Sequence, residues 1–374
     1  MMTAIVAATT MHQQVLFSRR IVLADCCISG EVVVRGGFIA EVVETADPSG
    51  TAVDLGDDLL IPGLVDIHTD NLEKHYQPRP GANWDDLGAV IAHDGQCAAA
   101  GITTVLDSLA LHGERNGLDR AAAFPKLVAA IDQCTRDGLL RIDHGLHLRF
   151  EVTKSAILDI AAPYLDHPRL RLLSLMDHRP GQRQLHLKSP SDQTVDDTEI
   201  ADLCRRNRRH LADICHAQGV ALAGHDDATL EHIAEAVSLG CTMAEFPVTQ
   251  VAAQAARHAG MTIAMGAPNL VRGGSHSGNL SAKAAAQAGL LDILASDYIP
   301  LSMIRAAFLL AEPDQGFSLP DAIATVTDNP ARATGLTDRG RIAPSLRADL
   351  VRVRWQPGRW PLALCVWLAG NRVA

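Results

Sequence analysis

Short apolar runs alternate with Ala-rich stretches of helical periodicity through the middle of the chain, from 61 to 339. The apolar runs are typical of buried parallel strands and lie at 61–68, 102–107, 145–151, 172–178, 220–225, 242–246, 262–265 and 293–297. Helical patterns between them cover 121–136, 198–218, 230–239, 251–259 and 281–289. Eight strands in this alternation predict an α/β fold, a (β/α)₈ TIM-type barrel. An open doubly wound sheet is the alternative, but no GxGxxG motif follows the first strand to support dinucleotide binding.

Strand-like runs of a different kind occupy the two ends of the chain. Residues 15–60 alternate in short runs separated by glycine turns, and 340–374 offer matching pieces. We therefore predict a small β-sandwich domain built from 15–60 and 340–374, with the barrel of 61–339 inserted into it. Residues 1–14 are predicted to be a disordered leader, and Met11 is an alternative start.

Composition narrows the class of protein. Hydrophobic residues make up 47% of the 374, enough for a large core, while aromatic residues make up only 4%. The net charge of −10 argues against nucleic acid or an anionic membrane as a partner. The eight cysteines contain no C-x-x-C pair, and no apolar run approaches the ~20 residues of a membrane helix. These features favour a cytoplasmic protein with reduced thiols. They do not decide whether the protein forms a homo-oligomer.

Metal-competent side chains stand where most of the predicted strands end. They are His68, Asp70, Asp107, His147, Glu151, Asp177, His178, His225, Asp226, Asp227, Glu245 and Asp297. Because the carboxyl ends of barrel strands meet at one rim, we expect these groups to converge. Isolated buried charges are unfavourable, so their density favours bound divalent metal ions, two in number.

The acids suggest specific roles at such a centre. Glu151 is suited to bridging two ions, and Asp297 to holding a metal and carrying a proton to or from the attacking water. A metal lowers the pKa of its bound water to about 7, which makes hydrolysis the predicted chemistry.

Cationic and glycine-rich positions suggest an anionic substrate. The loop after the seventh strand contains Arg272, Gly273, Gly274, Ser275 and His276, whose amides, hydroxyl and charged groups are suited to cradling phosphates. The additional cationic residues just beyond strand ends are Lys74, Arg79, Arg149 and Arg183.

Taken together, these motifs resemble the amidohydrolase superfamily over nearly all of 15–374. The general features are the first strand at 61–68, the Ser296-Asp297 end of the last strand, and the segment 340–351, in which the chain leads back to the small β domain. Longer stretches are similar to the phosphonate-metabolism branch of that superfamily, at 68–74, 78–80, 174–178, 180–184, 225–229, 244–247, 265–269, 272–279 and 296–298.

The resemblance implies metal-dependent hydrolysis of a small-molecule substrate, α-D-ribose 1-methylphosphonate 5-triphosphate, to its 5-phosphate and diphosphate. By analogy with the superfamily, the metal ligands are His68, Asp70, Glu151, His178, His225 and Asp297, and the catalytic residues are His225 and Asp297. This chain has Asp70 where the superfamily has a second histidine, and it has no equivalent of the bridging lysine. The harder ligand set suits Mn or Mg as well as Zn.

Two other functions stay open at this point. The same barrel could act on a cyclic amide, an N-acyl group or an amino-heterocycle, as much of the superfamily does. A non-catalytic scaffold is the third hypothesis, although a scaffold has no need of converging acids and imidazoles.

Overall fold

The chain begins with strands that belong to a sheet outside the barrel. In the computed structural model, residues 13–185, 197–275 and 278–374 are described. The first five strands are β1 Gln13–Val22, β2 Cys27–Arg35, β3 Phe38–Glu44, β4 Val53–Asp54 and β5 Leu59–Pro62. The predicted leader lies outside the described residues up to residue 12, and β1 begins two residues before the predicted start at 15.

Eight parallel strands follow and form the barrel, which confirms the predicted TIM-type fold. They are β6 Leu64–Thr69, β7 Ile102–Ala110, β10 Asp143–Glu151, β11 Leu170–Met176, β12 Ala221–His225, β13 Met243–Glu245, β14 Thr262–Gly266 and β15 Ile293–Ala295. A short hairpin, β8 Glu114–Arg115 and β9 Leu118–Asp119, follows β7. The backbone N–H of Asp297 donates to His68 O at 2.9 Å and that of Asp70 to Asp297 O at 2.6 Å, which joins the first and last strands.

The helices of the described residues surround this barrel or cover its ends. They are α1 Asn71–Tyr76, α2 Asp86–Ala99, α3 Arg120–Arg136, α4 Ile157–Ala161, α5 Asp197–Gln218, α6 Leu230–Ser238, α7 Gln250–His258, α8 Ala267–Arg272, α9 Ala282–Gln287, α10 Ser302–Leu310, α11 Leu319–Ala324 and α12 Asp328–Ala333. Hydroxyls of Thr229, Thr249 and Ser281 cap α6, α7 and α9 by accepting from backbone N–H groups, so the sequence itself marks where these helices start. Within the described ranges, no helix combines the length and the hydropathy needed to cross a membrane.

Three strands at the end of the chain complete the first sheet. They are β16 Leu350–Arg354, β17 Leu362–Leu368 and β18 Asn371–Arg372. The strand order is β18-β17-β16-β5-β1-β2-β3, so the two ends of the chain share one sheet, in which β5 pairs with both β1 and β16. The sheet has its own apolar cluster, which includes Leu16, Val32, Leu350 and Trp367. The finer prediction of a separate β sandwich is taken up below.

Small and branched side chains fill the inside of the barrel and support the residues at its mouth. Val65, Ile67, Leu106, Leu172 and Met243 belong to this interior cluster, and all are buried. A larger apolar layer lies between the strands and the helices. The polar groups at the carboxyl ends of the strands therefore rest on a packed floor rather than on a water-filled channel.

Asp107 does not lie at the mouth, contrary to the expectation from its position in the second strand. Leu106 faces the barrel interior, so the alternation of side chains along β7 turns Asp107 outward, beneath α2. There its carboxylate is 2.9 Å from His93 Nε2 and 2.7 Å from His144 Nδ1, and all three residues are buried. Burial alone lowers the pKa of His144, but Asp107 more than reverses this and raises it to about 9. The cluster is thus a buried ion pair that holds α2 to the barrel wall.

This ion pair makes stability depend on pH. Because the folded-state pKa of His144 lies above its ordinary value of 6.5, its contribution is complete below pH 6.5 and is lost as the pH rises to about 9. We expect His144→Gln to lower the free energy of unfolding by about 3 kcal/mol at pH 6, and by much less above pH 9. Urea denaturation across this range measures the difference. The control is His258→Gln on exposed His258, and equal losses at both pH values would contradict the assignment.

Candidate active site

Three strand ends bring two imidazoles and a carboxylate together at the barrel mouth. Glu245, the last residue of β13, lies between His68 of β6 and His225 of β12. Its carboxylate oxygens are 2.6 Å from His68 Nδ1 and 2.5 Å from His225 Nδ1, and the two rings stack with centroids 5.8 Å apart. All three residues are buried, so Glu245 determines the orientation of both rings.

A hydrogen-bond chain below Glu245 holds its carboxylate in place. Ser174 Oγ donates to Glu245 Oε2 at 2.7 Å, and His147 Nε2 lies 2.6 Å from the same hydroxyl. Burial lowers the pKa of His147 to about 3, so this ring is neutral, and its Nδ1 lies 2.9 Å from the carbonyl oxygen of Ile67. Burial alone raises the pKa of Glu245, but His68, His147 and His225 outweigh burial and lower it well below its usual range. Glu245 is therefore an ionised carboxylate.

His178 repeats the arrangement with a different acid. Its Nδ1 is 2.6 Å from Glu151 Oε2, and its ring centroid lies 6.5 Å from that of His225. The hydrogen bond that His178 donates to Glu151 raises the pKa of His178. His178 thus contacts the cavity and Glu151 contacts His178.

The residues that follow three strands have left-handed backbone conformations. Asp226, Phe246 and Asp297 have φ values of +57°, +57° and +55°. Such conformations are unfavourable for residues other than glycine, and they concentrate at functional sites where the surroundings impose them. At Asp297 the constraint is the pair of backbone hydrogen bonds to β6. Burial raises the pKa of the Asp297 carboxyl, which makes it a better proton acceptor than an ordinary aspartate.

Asp70 points toward arginines. Its Oδ1 accepts from Arg149 Nη1 at 2.5 Å and its Oδ2 from Arg115 Nη1 at 2.9 Å, while His68 Nε2 is 3.8 Å away. Burial opposes ionisation, but Arg149 and the other cations outweigh it and lower the pKa of Asp70 below its ordinary value.

A cavity of about 190 Å³ opens above these groups. Eight of the predicted ligands and substrate contacts line it, together with the strand-end acid Asp226: His68, Arg149, His178, His225, Arg272, Gly274, Ser275 and Asp297. Asn269, Asn279 and Tyr298 are among its other lining residues, so its wall carries imidazoles, guanidinium groups and amides together. Such a wall is suited to an anionic ligand.

The other predicted substrate contacts lie elsewhere. Lys74 Nζ donates to Tyr298 O and lies 5.0 Å from the Tyr298 ring centre, next to the cavity wall. Arg79 is exposed, and Gly273 ends α8 at φ +81°. Arg183 is buried in ion pairs with Asp227 and Glu235. His276 lies outside the described residues.

Two acids counted among the strand ends are engaged by arginines on the far side of the strands. Asp177 accepts from Arg179 and from Arg208, each at 2.8 Å, and Asp227 pairs with Arg183. Neither lines the cavity. Neighbouring residues of an extended chain point to opposite sides, so when His178 faces the mouth, Asp177 faces away from it.

Sequence reasoning missed the central position of Glu245 and the participation of Arg115. Glu245 ends a strand, as the predicted metal ligands do, so the sequence shows that it belongs at the barrel mouth. Nothing in the sequence shows that it is the acid that contacts two imidazoles. Arg115 is on a hairpin 45 residues from Asp70, and no sequence spacing indicates that contact.

The donor set at the mouth fits a divalent metal ion. One donor atom each from His68, His225 and Glu245 lie within 4.8 Å of one another. Carboxylates also engage the Nδ1 atoms of His68, His178 and His225, which leaves their Nε2 atoms as donors, the pattern found around metal-binding histidines. Among the described residues, the other such group is His93, Asp107 and His144, beneath α2.

Several known proteins are similar to this chain over most of its length. Residues 172–374 match the Amidohydrolase family. An α-D-ribose 1-methylphosphonate 5-triphosphate diphosphatase of Escherichia coli is 41% identical over 372 residues, 95% of this chain and 98% of that protein. The structure of an N-acetyl-D-glucosamine-6-phosphate deacetylase from Mycobacterium smegmatis matches with a TM-score of 0.66 at 18% identity, over 96% of this chain and all of that one. A dihydropyrimidinase from Brevibacillus agri matches with a TM-score of 0.58 at 13% identity, over 96% of this chain and 95% of that one. The two structures support the fold alone.

The orienting role of Glu245 is testable by metal binding. In Glu245→Gln the amide can accept from one imidazole but not from both, so one ring loses its orientation. We expect Zn or Mn affinity to fall about 10- to 100-fold, measured by competition with a chromogenic chelator. Glu41→Gln, on an exposed residue of β3, is the control. Wild-type affinity in Glu245→Gln would show that the ring orientation does not depend on this carboxylate.

Proposed function

The chain belongs to the amidohydrolase family, and from this premise we propose that it hydrolyses α-D-ribose 1-methylphosphonate 5-triphosphate to the 5-phosphate and diphosphate in phosphonate catabolism. The identity of 41% over nearly the full length of the Escherichia coli diphosphatase supports this substrate. The observation on which the proposal rests is the mouth itself, where three carboxylate-oriented imidazoles and two arginines line one cavity.

We propose that His68, His178, His225 and Asp297 hold the metal, with Glu245 and Glu151 as the acids that orient the imidazoles. A bound divalent ion polarises a phosphoryl oxygen and lowers the pKa of a coordinated water. The expectation of two ions, and the choice among Zn, Mn and Mg, stay predictions.

The side chains of this chain then have distinct tasks. The Asp297 carboxylate, whose pKa burial raises, accepts the proton of the attacking water. His225 is held by Glu245 on the facing side of the cavity. Arg149, Arg272, Gly274 and Ser275 line the cavity, and in this proposal their guanidinium and amide groups neutralise charge on the departing diphosphate. Contacts of substrate with Lys74, Arg79, Arg183, Gly273 and His276 stay predictions.

The arginine-lined wall disfavours the amide-hydrolysing alternative. A neutral cyclic amide gives no reason for Arg149 and Arg272 to face the same cavity. The converging imidazoles and acids likewise disfavour a non-catalytic scaffold.

The setting of the enzyme is part of the proposal. All eight cysteines are free thiols, which supports a reducing compartment and hence the cytoplasm. The separate apolar cluster of the outer sheet supports the interpretation of 15–60 and 340–374 as a small β domain attached to the barrel of 61–339, while the sandwich arrangement stays a prediction. Oligomeric state and the absence of nucleic-acid binding stay predictions.

The proposal predicts that the purified, metal-reconstituted protein releases diphosphate from the triphosphate substrate. Asp297→Asn removes the proton acceptor, so we expect the rate to fall about 10²- to 10⁴-fold. A coupled assay for diphosphate measures it, and Asp213→Asn, on an exposed residue of α5, is the control. Full activity of Asp297→Asn, or faster turnover of cyclic amides than of the triphosphate, would contradict the proposal.

A further inference from the structure

His225 and the residue that follows it face the same cavity. Neighbouring side chains of an extended chain point to opposite sides, but Asp226 leaves the extended conformation with φ +57°. Its backbone N–H donates to Glu245 O at 2.9 Å, which fixes the turn at the end of β12. The side chains of His225 and Asp226 therefore both line the cavity.

The Asp226 carboxylate has no hydrogen-bond donor among the residues that the structure describes. Its side chain is only 9% exposed, and its ion-pair neighbour in this part of the chain is His225, whose Nε2 lies 3.4 Å from Asp226 Oδ2. The acids Glu245 and Glu151, by contrast, lie 2.5 Å and 2.6 Å from the imidazoles that they orient. A buried carboxylate without such a partner is unfavourable, so Asp226 lacks a cation.

The protonation of His225 makes its contact with Asp226 unfavourable. The Nδ1 atom donates to the ionised carboxylate of Glu245 at 2.5 Å, so Nε2 of the neutral ring presents a lone pair. A lone pair and a carboxylate oxygen repel each other at 3.4 Å unless a positive charge lies between them. A proton on Nε2 would give a hydrogen bond of about 2.7–2.9 Å, the usual length between charged groups. The observed separation is longer than that.

A divalent metal ion accounts for the separation. Two ligand atoms that each lie about 2.1 Å from a tetrahedral ion are about 3.4 Å from each other. His225 Nε2 and Asp226 Oδ2 are 3.4 Å apart, so both atoms can bind one ion without moving. The ion accepts the imidazole lone pair and supplies the positive charge that the buried carboxylate lacks.

We propose, on the basis of the function proposed above, that Asp226 is an additional ligand of the metal ion that His225 holds. The left-handed backbone at Asp226 serves this purpose, because it brings two consecutive side chains to one ion. Asp226 and Asp297 together supply two negative charges against the two positive charges of a divalent ion. A second carboxylate also makes the donor set harder, which shifts its selectivity toward Mn and Mg.

Asp226→Asn tests the assignment by metal binding, without substrate. The amide keeps the size of the side chain but loses the charge. We expect Zn affinity to fall about 100-fold or more by chelator competition, and the visible spectrum of the Co-substituted protein to shift, because both depend on the atoms bound to the ion. Asp213→Asn, on an exposed residue of α5, is the control. Wild-type Zn affinity or an unchanged Co spectrum in Asp226→Asn would overturn the inference.

Asp226→Cys provides a second measurement that does not depend on the folding of Asp226→Asn. Thiolate is a good ligand for the soft ion Cd, and a Cd–thiolate bond absorbs in the ultraviolet. We expect Asp226→Cys to show more of this absorption per chain than Asp213→Cys, which has the same number of thiols. Equal absorption in the two variants would overturn the inference. Absence of triphosphate turnover in the unchanged enzyme would refute the proposed function instead, since these metal titrations use no substrate.

Discussion

Most of the charges buried at the barrel mouth have an opposite charge within hydrogen-bond distance, and this requirement organises the structure. Transferring an isolated carboxylate or guanidinium out of water is very unfavourable. Buried groups of this kind are therefore found with partners of opposite charge or with hydrogen bonds. Glu245 satisfies the requirement for His68 and His225 at once, and Ser174 and His147 complete its shell. Strands that are distant in sequence are thereby tied together at the place where chemistry occurs.

The sequence predicted the barrel and the convergence of strand ends because both follow from simple geometry. Eight apolar runs in β–α alternation have one common closed arrangement, and parallel strands bring their carboxyl ends to one side. His68, His225 and Asp297 were therefore identifiable as mouth residues from their positions alone, and the structure places them around one cavity.

What the sequence did not reveal depends on side-chain direction and on distant partners. Asp107 lies inside β7, while Asp177 and Asp227 follow β11 and β12. All three turn outward, because a shift of one residue moves a side chain to the other face. Register shifts where β6 pairs with β7 and where β10 pairs with β11 add to this, because an apolar pattern does not reveal them. The contact of Arg115 with Asp70 depends on a hairpin whose position only the folded barrel determines.

The shared outer sheet has a consequence for how the molecule is made. β5 leads directly into β6, which carries His68, but one side of β5 is covered only by β16, near the end of the chain. During translation β5 is an open edge until residues 350–354 have left the ribosome, and open edges invite pairing with other chains. β5, the strand that leads into the barrel, is thus paired on both sides only after synthesis is nearly finished, so a chain truncated late would expose this edge and be prone to aggregation.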